Sequence, residues 1–432
     1  MQYSTLYRLF SECNKVCTDS RKVEPGCLFI ALKGPSFNGN DFVLSSIADG
    51  ASYALADENR SEFKDEPRVV LVEDGLTALQ AIAQEHRHKL KIPVIGLTGS
   101  NGKTTSKELL KAALSRSYST YATKVNLNNH IGVPLSVLEI NKGHEIAIIE
   151  MGANHQKEIQ FLCTISHPDA GYITNIGLAH LEGFGGEAGV YIGKKELFDH
   201  LIRQDGKLFV NSDDPLVIKA AKGAQSVTYG MSESCHFQGD FEIKDNRLTV
   251  HWWRDIDPFK RTIQTQLTGS YNFSNVMAAI AVSRYYGVPD EEIRKGIEAY
   301  SPANNRSQVE HTQRGNTLIV DCYNANPSSM SAAIENLSRE TSGRRIALLG
   351  DMLELGTVGL QKHQETVEHL KSSGIEAFLV GDLFVKIDPR GYRHFATTLE
   401  LADYLKDNPI ANAIILLKGS RRMKLEQLLE LL

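Results

Sequence analysis

Short β-branched and apolar runs, each closed by polar or glycine-rich residues, alternate with stretches of helical period along the whole chain. That alternation predicts α/β architecture, because uninterrupted apolar runs of this length suit parallel strands covered on both faces. Over residues 1 to 88 the runs fall at 27–32, 51–56 and 69–72, with a helix over 77–85. The expectation there is a small α/β module. From 89 to 306 the strands 94–97, 146–150 and 170–175 predict a parallel sheet with helices on both faces. Residues 241–243 and 248–253 read as an appended hairpin turning at Asp245-Asn246, with Trp252 and Trp253 as packing. From 307 to 432 a further alternation predicts a Rossmann-like α/β domain whose strands 318–321, 346–351 and 414–421 end in polar clusters.

One junction carries more chemistry than the rest. Val94-Ile95-Gly96-Leu97-Thr98 breaks into Gly99-Ser100-Asn101-Gly102-Lys103-Thr104-Thr105, and a helix is expected over 106–114. A strand, glycine turn and helix in that order aim backbone N–H groups and a helix N-terminus at one point, which suits phosphate. Lys103 would reach the terminal phosphates of ATP and Thr104 would hold Mg²⁺. Leu97 occupies the position of the first glycine in the strict pattern. An ordinary βα turn is the bland alternative, and Gly-Lys-Thr-Thr in this setting outweighs it.

Doubly wound sheets bind ligands outside the carboxyl ends of their strands, which nominates Glu150, Asn175 and His180. Asn275 stands where residues 269–275 open a helix, and an N-cap alone would explain an asparagine there. In the first module, residues 18–21 and 33–42 gather Arg, hydroxyls, Asn and an aromatic on loops. Such a set could grip a pyrophosphate and stack a base, and a solvated loop of the same composition is equally common.

At 432 residues the chain is long enough for about three domains. A net charge of −5 gives no electrostatic case for nucleic acid or an anionic membrane. The first ten residues lack the layout of a signal peptide, and no run approaches the roughly 18 apolar residues of a membrane span. A cytoplasmic monomer is the expectation. The six cysteines are scattered, so reduced thiols are favoured over structural zinc.

The motifs together resemble the Mur ligase family. The phosphate loop 98–105 is shared with folylpolyglutamate synthetases and marks only the superfamily. More selective are Asn126-Leu127-Asn128-Asn129-His130-Ile131-Gly132-Val133-Pro134, Glu150-Met151-Gly152-Ala153-Asn154-His155-Gln156-Lys157-Glu158-Ile159 and His180-Leu181-Glu182-Gly183-Phe184-Gly185. They resemble the D-alanyl-D-alanine-adding branch, as do Asp321-Cys322-Tyr323-Asn324-Ala325-Asn326-Pro327 and residues 349–356, although Cys322 replaces a more usual small polar residue.

What the resemblance implies is three domains, 1–88 for a UDP-linked substrate, 89–306 for ATP, and 307–432 for an incoming dipeptide and part of ATP. It implies ATP-dependent joining of D-alanyl-D-alanine to UDP-N-acetylmuramoyl-tripeptide through an acyl phosphate, as a step of peptidoglycan synthesis. ATP would contact Gly99, Ser100, Asn101, Gly102, Lys103, Thr104, Thr105, Asn275, Arg306 and Asp321. Two Mg²⁺ ions would be held by Thr104, Glu150, His180 and a carbamylated Lys194, the neighbouring Lys195 being the other lysine at that place. Lys103, Lys194, His180 and Arg306 would carry the catalysis. The substrates would fall to Ser20, Arg21, Asn128, Asn129, Asn154, His155, Asn324 and Asn326. An open form before ligands bind, with the third domain closing on the second, is expected. A folylpolyglutamate-type ligase and a non-enzymatic nucleotide switch are the rival readings.

Overall fold

The structure, a computed structural model, describes residues 3–244, 246–302, 305–340 and 343–432. Met1 and Gln2, and the Asp245 half of the expected hairpin turn, lie outside the described residues. The α/β expectation holds: three larger sheets, each drawn from one stretch of chain, are dominated by parallel pairs.

The first sheet runs in the order Val16–Cys17, Leu28–Ile30, Tyr53–Ala56, Val69–Leu71, all parallel. Its helix Gly75–Lys89 starts under an Asp74 side chain that accepts from the Thr77 N–H at 2.7 Å, and its last turn carries His86, Arg87, His88 and Lys89, which complement the helix dipole. Arg87 then pins this helix to the next sheet, donating to Asp169 at 2.7 Å and to the carbonyls of Ser166 and His167 at 2.9 Å.

The second sheet has nine strands, with Val94–Thr98 between Ile146–Glu150 and Ala170–Ile173. All five residues of Val94–Thr98 and of Ile146–Glu150 are buried, as continuous apolar runs require. Parallel pairing continues through Lys207–Asn211 and Ser226–Gly230 to Phe237–Lys244. The hairpin formed with Arg247–Arg254 is extended by an unexpected edge strand, Asp257–Gln264, giving an antiparallel meander. Trp252 is 1% exposed in that packing.

The third sheet is ordered Gln308–His311, Thr317–Val320, Ala413–Lys418, Arg344–Gly350, Glu376–Val380, Arg393–Phe395, antiparallel only at its first pair. Of its polar strand ends, Asp351 turns away from ligand duty, because its carboxylate accepts the Leu383 and Phe384 N–H groups at 2.9 and 3.1 Å. Among the described residues no helix is long and apolar enough to cross a membrane.

Candidate active site

Between the strand Val94–Thr98 and the helix Lys103–Leu114 the chain must turn sharply, and two glycines permit it. Gly99 (φ 148°) and Gly102 (φ 76°) lie in the region that side chains avoid, and a Cβ would come within 1.9 Å of Thr174 Oγ1 or 2.8 Å of Asn275 Oδ1 respectively. Because Gly102 turns the chain straight into the helix, that helix begins at Lys103, three residues before the expected start. The neighbouring strand end fixes the loop. The Ser100 and Asn101 N–H groups donate to the Asn175 carbonyl and Oδ1, both at 3.0 Å, and Thr174 Oγ1 and Asn175 Nδ2 donate to the Asn101 carbonyl at 2.6 and 3.0 Å. These four hydrogen bonds fix the anion-binding end of the helix within the protein itself.

Lys103 folds back over this loop, donating to the carbonyls of Gly99 and Ser100 at 2.7 and 3.3 Å. Burial, with the Arg306 charge acting the same way and Glu150 opposing, pushes its ammonium down to about 8. Thr104 Oγ1 lies 3.3 and 3.5 Å from the two Glu150 oxygens, and Asn128 Nδ2 donates to Glu150 Oε1 at 2.9 Å. Beneath them Lys107, with no exposed surface, donates to the Thr123 carbonyl at 2.5 Å and stands 3.9 Å from Glu150 Oε2.

His180 starts the short turn Leu181–Phe184 from a left-handed conformation (φ 52°), with Nδ1 against a carboxylate oxygen of Glu354. Burial holds the imidazole below its ordinary value against the raising pull of Glu354. Lys194 is 0% exposed, donates to the Ala153 carbonyl at 3.3 Å and stands 5.1 Å over the Phe184 ring. Burial, and then the Lys103 charge, push its amine well below the ordinary lysine value. Lys195 points elsewhere and is paired with Asp199.

The third sheet supplies the opposite wall. Arg306 stacks its guanidinium 3.8 Å over the Tyr323 ring. Asp321 accepts from Lys418 Nζ at 2.5 Å and from the Ser307 N–H at 3.3 Å. Two contacts bring this wall onto the phosphate loop: Asn326 Nδ2 donates to Asn101 Oδ1 at 2.7 Å, and the Leu178 N–H donates to Ser328 Oγ at 2.8 Å. Polar groups of the two walls meet one another beside a cavity of about 780 Å³ that stays partly open to solvent.

Ser100, Asn101, Gly102, Lys103, Thr104, Thr105, Glu150, His180, Asn275, Arg306 and Asp321 border that cavity, as do Asn128, Asn129, Asn154, Asn324 and Asn326. Gly99 underlies the loop, and Lys194 lies behind Ala153, which forms part of the wall. His155 faces Glu158 and solvent. Ser20 and Arg21 sit apart from the cavity, on the first module, in a turn capped by Asp19. There the Arg21 guanidinium grips the Asp19 carboxylate at 2.8 Å and holds it down at about 2. Several nominated asparagines also have local duties. Asn129 accepts the Gly132 N–H at 2.8 Å, and Asn326 caps the helix Pro327–Ser338. Asn275 makes no cap; it lies inside the helix Phe273–Tyr285 and donates to Asn272 Oδ1 at 2.9 Å.

Among the described residues no three His, Cys, Asp or Glu side chains gather as a ready-made metal site. Thr104 and Glu150 do place hydroxyl and carboxylate oxygens side by side at the loop, with His180 on the same cavity. That donor set fits Mg²⁺, which is usually held by one or two protein carboxylates together with substrate phosphates. Lys107 escaped sequence reasoning; Lys418 and Glu354 fell within the polar strand end 414–421 and the motif 349–356 but were given no role of their own. Lys107 lies one helical turn after Lys103, and the fold buries it beside the loop.

A phosphate loop at the carboxyl end of a sheet, facing cationic and acidic side chains from a second sheet across a shared cavity, defines a nucleotide-dependent α/β protein built for phosphoryl chemistry. Sequence profiles give the class a family: residues 12–87 match the Mur ligase family catalytic domain, 97–283 the Mur ligase middle domain, and 305–421 the Mur ligase glutamate ligase domain. The chain belongs to the Mur ligase family. It is 35% identical over 425 residues to the UDP-N-acetylmuramoyl-tripeptide--D-alanyl-D-alanine ligase of Bacillus subtilis (strain 168), covering 96% of this chain and 92% of that protein. A crystal structure of MurF from Acinetobacter baumannii superposes with a TM-score of 0.89 at 30% identity, covering 99% of this chain and 98% of that one. MurF ligase from Thermotoga maritima in complex with ADP gives 0.86 at 27% identity, covering 98% and 97%.

Proposed function

We propose that this chain is the ATP-dependent ligase that joins D-alanyl-D-alanine to UDP-N-acetylmuramoyl-tripeptide in peptidoglycan synthesis. The observation that carries the reading is the placement of Lys103 and the loop on one wall of a shared cavity, with Arg306 and Asp321 on the other. A carboxylate is a poor acyl donor, so its oxygen first attacks the γ-phosphorus of ATP, and ADP leaves. The dipeptide amine then attacks the acyl-phosphate carbon, phosphate leaves, and the amine gives up a proton.

Two anions meet in the first step, so charge neutralisation and in-line placement are the main tasks. Lys103 and Arg306 bring fixed positive charge to the γ-phosphate, the loop N–H groups cradle the β-phosphate, and Asn275 and Asp321 serve adenine and ribose. Mg²⁺, bound by Thr104, Glu150 and His180, would neutralise phosphate charge. Lys194 supports a carbamate reading by its burial, which pushes the amine toward the neutral form that adds to CO₂. The rest of the cavity, with Asn128, Asn129, Asn154, Asn324 and Asn326, suits the two peptide ends, His155 is a further substrate-binding candidate, and Ser20 and Arg21 are assigned to the UDP-linked substrate.

The division into 1–88, 89–306 and 307–432 is supported by one of the three larger sheets falling within each stretch. Consumption of ATP and a UDP-linked precursor places the reaction in the cytoplasm. The test is phosphate release by the purified chain. Release only when UDP-N-acetylmuramoyl-tripeptide and D-alanyl-D-alanine are both present is expected; release without the dipeptide, or with folate and glutamate instead, would overturn the reading.

A further inference from the structure

We infer that Glu354, carried by the third sheet's module, is a positioning residue that orients the His180 imidazole and completes the donor set around the phosphate loop only while that module is seated. Its side chain meets His180 Nδ1 across 174 residues of sequence. The backbone is tied at the same place, because the Glu182 N–H donates to the Glu354 carbonyl at 3.3 Å. Two residues on, Gly356 lies so close that an added Cβ would come within 3.3 Å of Glu182 Cβ. Residues 354–356 are thus seated on the turn Leu181–Phe184, and the seat fixes where the carboxylate reaches. Both residues of the pair sit in left-handed backbone, φ 63° at Glu354 and φ 52° at His180, so neither direction is set by a regular element.

With a Glu354 carboxylate oxygen as acceptor, Nδ1 is the nitrogen that donates, and the matching neutral tautomer leaves the lone pair on Nε2. His180 borders the cavity together with Thr104 and Glu150, and Nε2 is the ring nitrogen left free for a ligand there. A carboxylate behind an imidazole is the usual device for fixing the tautomer and direction of a metal-binding histidine. Here the two halves come from two different modules, so seating of the third module and cation binding at Thr104 and Glu150 become one linked event. Withdrawal of the third module would release the ring.

The inference rests on the ligase reading above, and its test needs no turnover. Mn²⁺ is titrated into the full chain holding a non-hydrolysable ATP analogue, and free Mn²⁺ is read by electron paramagnetic resonance. Glu354→Ala should weaken Mn²⁺ binding about ten- to a hundredfold, the usual cost of losing such a partner. His180→Ala should cost at least as much, and adding Glu354→Ala to it should cost nothing more. Glu354→Gln, which keeps the shape and an acceptor oxygen, should fall between the parent and alanine, and it keeps the test decisive if the alanine variant folds poorly. Mn²⁺ affinity within threefold of the parent in both Glu354 variants, or losses that add in the double variant, would overturn the role. A failure of the ligase reading would look different: the parent itself would release no phosphate with both substrates present.

Discussion

Asn326 donates its side-chain amide to Asn101 Oδ1 at 2.7 Å while its own Oδ1 accepts the Ser329 N–H at 2.9 Å. One side chain therefore caps the helix Pro327–Ser338 and ties it to the phosphate loop. The two duties separate by substitution. Asn326→Ala should lose the cap, about 0.5–2 kcal/mol of stability, together with the tie. Asn326→Asp keeps an N-cap acceptor but places a carboxylate against Asn101 Oδ1 beside the phosphate site. Thermal unfolding should therefore be close to the parent for Asn326→Asp while its kcat/KM for ATP falls at least tenfold; equal kinetics in parent and aspartate variant would show that the tie is inconsequential.

Lys103 is the cation that the loop holds over itself. Lys103→Ala should lower kcat by a hundredfold or more, about 3 kcal/mol of barrier, and leave binding of the UDP-linked substrate nearly intact, since that pocket is assigned to the first module. Calorimetry with the UDP-substrate and a phosphate-release assay check the two halves. Turnover within tenfold of the parent would remove Lys103 from the mechanism.

Asn275→Ala and Asp321→Ala should raise the ATP KM more than they lower kcat, because adenosine contacts act alike in ground and transition states. The structure adds a second effect at one of them. Lys418 is 2% exposed and its Nζ is 2.5 Å from Asp321 Oδ2. Removing the carboxylate leaves a buried ammonium unpaired, a change that typically costs about 3–5 kcal/mol. Asp321→Ala should thus unfold at a markedly lower temperature, and Asn275→Ala much less so. A large kcat loss with unchanged KM in both would show the adenosine assignment to be wrong.

How much of this was legible in the sequence follows from how local each cause is. Ile146–Glu150 was recognisable to the residue because a buried parallel strand is a continuous apolar run with a polar stop. Asp257–Gln264 was not, since an edge strand bearing Pro258, Lys260 and Arg261 lacks that run. Lys107 reads as one more polar position of an amphipathic helix, and only the fold buries it against Thr123. The contact of His180 with Glu354 joins two separate modules, so no spacing announces it. The polar strand ends show the same limit: Asp321 and Asp351 look alike in sequence, yet one borders the cavity and the other holds two backbone N–H groups.

Outside the cavity lining, His200 is 6% exposed, stacks edge-on against His167 at 5.6 Å, and has no hydrogen-bond partner at Nε2 among the described residues. Burial, with the charges of His167 and Arg203, pushes its pKa down from 6.5 to about 4. Between those values the unfolded chain binds the proton and the folded chain does not, so stability falls as pH drops through the window. The loss should be roughly 1–3 kcal/mol, and His200→Phe should flatten it. Urea midpoints at about pH 7 and about pH 5 for parent and variant make the comparison; an equal acid loss in both would exonerate His200.

The carbamate reading separates two adjacent lysines. Lys194 is wholly buried, with Nζ on the Ala153 carbonyl and its pKa driven well below the ordinary value, so the amine is held toward the neutral, nucleophilic form. Lys195 is partly exposed and its Nζ is engaged by the Asp199 carboxylate. Addition of CO₂ to the neutral Lys194 amine forms an N–C bond, releases a proton and leaves an anionic group with oxygen ligands, the kind a hard cation prefers. Lys194→Ala should therefore lose at least a hundredfold in turnover and recover part of it with added short-chain carboxylates, while Lys195→Ala stays within about threefold of the parent. Mass spectrometry under bicarbonate, with mild trapping of the carbamate, should find the label on Lys194. A dead Lys195→Ala, or a Lys194→Ala that turns over normally, would end the assignment.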